Sequence, residues 1–265
     1  MRDEAWDAEA SGSSVLAQAR AAKAAGRGAK LLIAASILGG LLYGLGSSPL
    51  FRIERVRIRC ADRLAAVDAA RAVRLVPGET TVTVRTHRLR ERLVACPRVR
   101  DAVVTRRFPH TLEIAVEPRE AAAALVMPGG CMLADRDGVC ISEAPEPPAD
   151  LPCIRGIPVT GVRPGDRVVG PRMRAALECV QWAGRLGALG RVTVDVSTME
   201  HVRVWTASGT PCLLGHAKDL GVKMASVAAT VEFLRGRDVR ARFVDVRDPD
   251  GPIVWEPARP VSASS

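Results

Sequence analysis

Cys96–Ala123 reads CPRVRDAVVTRRFPHTLEIAVEPREAAA. Leu112, Ile114 and Val116 alternate with polar residues over Thr111–Glu117, the period-two pattern of a half-buried strand. Val99–Phe108 reads as a second strand, and Pro109-His110 as the turn between the two. Pro97 stops whatever helix precedes them. Toward the N-terminus, Thr86 is a good N-cap for that helix, and Leu89 and Leu93 fall on one of its faces. Arg63–Val73 reads as another helix, with Leu64, Val67, Ala70 and Val73 as its apolar positions and Pro77-Gly78 ending it. Phe51–Arg59 is a strand whose apolar phase slips at Glu54-Arg55, from Phe51 and Ile53 to Val56 and Ile58, which predicts a bulge. The order is strand, helix, helix, strand, strand.

Immediately before this block, Leu31–Phe51 carries no charge over 21 residues, LLIAASILGGLLYGLGSSPLF. A helix of that length spans roughly 30 Å, the thickness of a bilayer core. A cleaved leader is the rival reading, but no A-x-A site follows the run and thirty residues precede it. A buried core helix is a third reading. Basic residues on the two sides nearly tie, so charge alone leaves the orientation open. The first residues are Ala-rich and polar, and read as a cytoplasmic tail.

The net charge of +9 is concentrated next to that run: residues 50–120 hold sixteen Arg against nine Asp and Glu. Such an excess suits a solvated surface, anionic headgroups or nucleic acid. Arg52, Arg55, Arg57 and Arg59 are the candidate lipid-facing group.

Beyond residue 120, Gly129–Ser142 reads as a hairpin about Asp137-Gly138, which places Cys140 opposite Asp135. Glu143–Pro152 is a Pro-rich connector. Arg172–Leu189 and Ala217–Arg235 are amphipathic helices; the apolar positions are Met173, Leu177, Val180, Trp182 and Leu186 in one, and Leu220, Met224, Val227, Val231 and Leu234 in the other. Arg191–Val196, Val202–Thr206 and Pro211–Gly215 are strands, and two more flank the turn Asp248–Gly251. Ile253-Val254-Trp255 lies between Pro252 and Pro257, which suits the rim of a sheet and not its middle.

Pro97, Val99, Ala102, Val104, Arg106, Pro109, Thr111, Leu112, Ile114, Val116 and Glu117 together resemble the POTRA signature of the FtsQ/DivIB family of bacterial cell-division proteins. Leu151-Pro152-Cys153-Ile154-Arg155-Gly156 resembles the L-P-x-I-x-G element of the same family, and Arg240–Pro257 its closing hairpin. Cys60-Ala61-Asp62 departs from the usual Gly-rich turn, and Cys140 stands where an aromatic is common.

The resemblance implies an α+β chain: a single N-terminal transmembrane helix, a POTRA domain (β-α-α-β-β), and a C-terminal, mostly antiparallel β domain with two flanking helices. The corresponding segments are a cytoplasmic tail (1–29), transmembrane helix (30–50), POTRA domain (51–119), β domain (120–257) and disordered tail (258–265). It also implies a non-catalytic divisome scaffold in the cell inner membrane, with the N-terminus cytoplasmic and the bulk extracytoplasmic at the division site. The partners so implied are FtsB-like and FtsL-like single-pass proteins and other divisome membrane proteins. Strand addition would use Arg242, Phe243, Val244, Ile253, Val254 and Trp255, with Arg242 meeting an acidic partner residue.

Neither nucleic acid nor a small-molecule substrate is expected as a partner. Four scattered His lack metal spacing, and no nucleophile elbow, P-loop or dinucleotide fingerprint occurs, so neither cofactor nor metal is expected. Cys212 and His216, four apart, are a weak candidate pair. Seven Cys in no recognised pattern read mainly as small buried residues, or as one or two disulfides. Other classes stay open: a POTRA-bearing translocation or assembly factor, a secreted periplasmic protein with a cleaved leader, and a tethered nucleic-acid binder.

Overall fold

The computed structural model describes residues 36–40, 44, 49–75, 79–158, 161–248 and 253–257. The expected anchor lies mostly outside them; of its residues, 36–40 and 44 are helical. Among the described residues, no helix is long and apolar enough to cross a membrane. The expected tails at 1–29 and 258–265 lie outside the described residues altogether.

Two compact units are present. One joins Leu75–Thr86 and Val104–Glu113 to the described residues up to Arg57; the other holds Ile58–Arg74, His87–Val103 and the chain from Ile114 onward.

The expected element order appears. After a 3-10 turn at Pro49–Phe51 come β1 (Arg55–Arg59), α1 (Arg63–Ala72), α2 (Thr86–Val94), β2 (Val99–Arg107) and β3 (Thr111–Pro118), and the three strands form a sheet in the order β1-β3-β2. β1 starts four residues later than the sequence suggested. The amides of Glu54 and Arg55 both donate to the His110 carbonyl, at 3.0 and 3.3 Å, the two-against-one arrangement of a bulge. Asp62 caps α1, its carboxylate accepting from the amides of Leu64 (2.9 Å) and Ala65 (3.3 Å). The buried face of α1 differs from the expected one: Ala65 and Ala69 are fully buried, whereas Leu64 and Val67 are exposed. In an Ala-rich helix the small face permits the closest approach, so it goes inward. Leu89 and Leu93 on α2, and Leu112, Ile114 and Val116 on β3, are buried as their spacing predicted.

The distal part is one nine-stranded sheet. Its members are β4 (Ala123–Met127), β5 (Gly130–Ala134), β6 (Cys140–Ala144), β7 (Cys153–Arg155), β8 (Thr193–Asp195), β9 (Val202–Trp205), β10 (Pro211–Gly215), β11 (Ala241–Asp245) and β12 (Val254–Pro257). They lie in the order β12-β11-β10-β9-β8-β7-β4-β5-β6. Most neighbours run antiparallel, but β4 with β7, β7 with β8, and β10 with β11 are parallel. Two of these parallel pairs enclose the helices. α3 (Pro171–Leu186) links β7 to β8, and α4 (Leu220–Arg235) links β10 to β11, as crossovers between parallel neighbours require.

Both helices pack on one face, over a core of Val, Leu, Ala, Met and Cys. The helices come close together: a Cβ on Gly221 of α4 would lie 2.8 Å from the Trp182 ring of α3. Gly156, at φ +81°, lies so near the Ser197 backbone nitrogen that no side chain fits, which accounts for the glycine after β7.

The β5–β6 register also corrects an expectation. Cys140 pairs with Ala134, not Asp135, because the ladder slips between Leu133 and Ala134. Asp135 is left in the turn. There its Oδ1 accepts the amides of Asp137 (2.9 Å) and Val139 (2.8 Å), and its Oδ2 accepts the Arg119 guanidinium at 2.6 Å. Asp135 is buried and Arg119 nearly so, and the Arg119 Nε has no hydrogen-bond partner. Arg100 reaches Asp137 at 3.2 Å and Glu117 at 3.7 Å. These pairs tie the strand ends at 100 and 117–119 to the β5–β6 turn within the second unit.

Candidate partner-binding edge

The two ends of the nine-stranded sheet differ. At one end the expected rim strand, β12, pairs antiparallel with β11: Phe243 with Glu256, Val244 with Trp255, Asp245 with Val254. Among the described residues no strand lies on its other side. At the opposite end the start of β6 is covered. The Cys140 amide donates to the Asp166 carbonyl (2.8 Å), the Gly165 amide to the Cys140 carbonyl (2.7 Å) and the Val168 amide to the Gly138 carbonyl (2.9 Å). An antiparallel bridge, Val139 with Arg167, continues this cover. An uncovered rim exposes a row of backbone donors and acceptors, and a covered one does not.

Of the six residues expected at a partner contact, Trp255 is 36% exposed and Ile253 42%. Arg242 is exposed and Phe243 half-buried. Val254 lies in β12 itself. Val244 is different: it is fully buried in the core, so its side chain is not at the surface. The ladder slip between Ala241 and Phe243 turns Ala241 and Val244 inward. β11 is paired on both sides, so at this end of the sheet, among the described residues, the backbone edge is that of β12.

Beyond β11, Arg247 grips Asp245, donating at 2.6 to 3.0 Å. These hydrogen bonds hold the Asp245 carboxyl below its usual range, against the opposing effect of burial.

Sequence reasoning passed over Lys223. It is buried in the first turns of α4, and its Nζ donates to the carbonyls of Leu214 (2.8 Å) and His216 (3.0 Å). Burial lowers its pKa, while nearby Asp219 and Asp248 oppose the fall. The ammonium thus closes the end of β10, one strand away from β11.

The Cys212–His216 pair does not come together as a site. Cys212 is fully buried, its thiol pushed up to about 12 by burial, and His216 is exposed. Among the described residues no group of three or more His, Cys, Asp or Glu could hold a metal. All seven Cys are free, and five of them are buried. The four candidate lipid-facing arginines are exposed on and just before β1.

Residues 51–119 match the profile of the POTRA domain, FtsQ-type. The cell division protein FtsQ of Mycolicibacterium smegmatis is 28% identical over 192 residues, 68% of this chain and 55% of that one. That of Myxococcus fulvus is 27% identical over 204 residues, 75% of this chain and 70% of its own length. That of Streptomyces collinus is 27% identical over 237 residues, covering 84% and 86%. The chain carries an FtsQ-type POTRA domain and is similar to FtsQ cell-division proteins over most of its length. Its FtsQ-type POTRA domain contains the α1, α2 and three-strand arrangement that the sequence predicted, and the FtsQ-related region continues into the nine-stranded sheet. A solved extracytoplasmic domain of DivIB from Geobacillus stearothermophilus overlaps 47% of the chain at a TM-score of 0.30 and 15% identity, too slight a likeness to bear on the fold.

Proposed function

We propose that this chain is an FtsQ-type, single-pass inner-membrane scaffold of the divisome that docks its partner by strand addition to β12. Residues 31–51 form its anchor, the N-terminus is cytoplasmic, and the bulk is extracytoplasmic at the division site. The partner is a small coiled-coil division protein of the FtsB kind, accompanied by an FtsL-like one. Through them the chain links early division factors to septal cell-wall synthesis, and it catalyses nothing itself.

One observation carries this reading: among the described residues no strand lies beyond β12, while at the other end the start of β6 is covered. A partner strand gains main-chain hydrogen bonds along β12, and side chains beside it set specificity. Trp255 and Ile253 supply apolar area, and Arg242 and Phe243 reach the contact from the exposed side of β11. Val244 contributes only from beneath, by holding β11 and β12 in register.

Co-purification of the full chain with its coiled-coil partner, with and without Trp255→Asp, tests the proposal. An aromatic anchor at the centre of an interface is worth about 2 kcal/mol or more, roughly thirtyfold in Kd. The variant should therefore lose the partner while keeping its circular dichroism. Retention of the partner at the native level refutes docking at this rim.

A further inference from the structure

The first unit carries an exposed apolar tip that docking at β12 does not use. Three chain segments meet there. The buried Thr81 donates its amide to the Phe51 carbonyl (2.7 Å) and its hydroxyl to the Pro109 carbonyl (2.6 Å). Arg52 bridges to Thr80, and the Phe51 and Phe108 rings meet edge to face with centroids 6.2 Å apart. Arg106 donates to the Val84 carbonyl at 2.8 Å. Residues 50–53, 80–84 and 106–110 are thus held together by backbone and side-chain contacts.

Each segment then presents a large apolar side chain to solvent: Leu50 at 73% exposure, Val82 at 42% and Phe108 at 61%. A single exposed apolar residue is ordinary. Three of them, each within one residue of a group fixed by Thr81 or the Phe51–Phe108 contact, make an apolar cluster of the kind that marks an interaction surface. The surrounding charge is one-sided. Residues 50–57, 80–84 and 106–110 hold five Arg and a single Glu, and Arg52, Arg55 and Arg57 are exposed.

The apolar run ends at Phe51. A residue spans at most about 3.6 Å, so the Arg52 Cα is within about 4 Å of Phe51 and that of Arg55 within about 14 Å. The headgroup layer on each side of a bilayer is roughly 5–8 Å deep.

We propose that this tip seats in the anionic headgroup layer of the bilayer entered by residues 31–51: Leu50, Val82 and Phe108 enter the interface, and Arg52, Arg55 and Arg57 bind lipid phosphate. The proposal rests on the anchored reading given above. Apolar side chains beside basic ones are the composition of interfacial membrane contacts, and anionic lipid attracts juxtamembrane cations. Seated in this way, the POTRA domain is held against the membrane by its own tip as well as by its tether.

Hydrogen exchange on the full chain in nanodiscs tests this, with discs of phosphatidylcholine alone compared with discs containing phosphatidylglycerol. Each arginine at an anionic surface raises occupancy by about fivefold. Amides at 80–84 and 106–110 should therefore exchange at least about tenfold more slowly in the anionic discs, and salt should erase most of the difference. Combining Arg52→Gln, Arg55→Gln and Arg57→Gln should abolish the lipid dependence, and Phe108→Ser should weaken protection in both lipids, each with α3 and α4 exchanging as in the native chain. If the chain enters the discs but these amides exchange equally in both lipids, the proposal is overturned and the anchor stands. Lipid-dependent protection that survives the triple arginine change also overturns it. If the chain does not enter discs at all, the anchor reading fails and this one with it.

Discussion

Replacing Asp135 separates two jobs that its carboxylate does at once. Oδ1 holds the β5–β6 turn through the amides of Asp137 and Val139, and Oδ2 neutralises Arg119. Asp135→Asn keeps an oxygen for the turn but points an amide at the guanidinium. The nearly buried Arg119 then has no counter-charge. Breaking a buried pair from one side costs 3–5 kcal/mol, and the slight exposure of Arg119 places the loss near the lower end, about 3 kcal/mol. Asp135→Ala also strands two backbone amides, adding roughly 2 kcal/mol. At about 2–4 °C of Tm per kcal/mol, the expected falls are roughly 9 °C for Asn and 15 °C for Ala. Adding Arg119→Met to Asp135→Asn removes the orphaned charge and should restore stability to within about 1 kcal/mol of native. Thermal unfolding of the full chain in detergent, followed by the fluorescence of Trp182 and Trp205, reads all three. A loss below about 1 kcal/mol for Asp135→Asn, or no recovery in the double variant, refutes the reasoning about charge burial.

Two further outcomes follow from buried titratable groups. Under native conditions a thiol reagent should modify the half-buried Cys60 first and Cys96 next, while Cys179 and Cys212, pushed up to about 12 by burial, react only after unfolding; mass spectrometry showing Cys212 labelled as fast as Cys60 contradicts this. The folded pKa of Lys223 lies below its unfolded value, so folding releases a proton between the two values and the site's contribution to stability rises with pH across that window. Stability relative to Lys223→Met should therefore increase as the pH rises toward about 10.5, the ordinary lysine value, and a flat difference curve in urea titrations at several pH values shows the lysine to be solvated.

Much of the POTRA half could be read in the residues because its strands have one wet face. Leu112, Ile114 and Val116 alternate because water lies on the other side, and that contrast is what a period-two pattern records. β4 was missed for the opposite reason. Ala123, Ala124 and Leu125 are all fully buried in a central strand, so the run Ala121–Met127 shows no alternation and its alanines suit a helix equally well. The α1 face was misread because large apolar residues were given precedence over Ala65 and Ala69. At the candidate edge, Pro252 and Pro257 marked the rim strand correctly, since a residue without an amide proton suits an edge. Which β11 side chains face outward could not be read, because the slip between Ala241 and Phe243 changes the parity and turns Val244 inward. Lys223 left no trace either: nothing local distinguishes a buried lysine on an amphipathic helix from a solvated one.

The segment Gly165–Val168 lying along Gly138–Cys140, at the start of β6, limits how the molecule can be joined to others. Hydrogen-bonded growth of the nine-stranded sheet is blocked there, and among the described residues the β12 flank carries no such cover. A second copy that paired along β12 would have to meet its twin symmetrically, and on the proposed docking that union would close the place the partner needs. Occupancy by self and by partner would then exclude each other, so the free monomer, not a preformed assembly, would be the species competent to recruit.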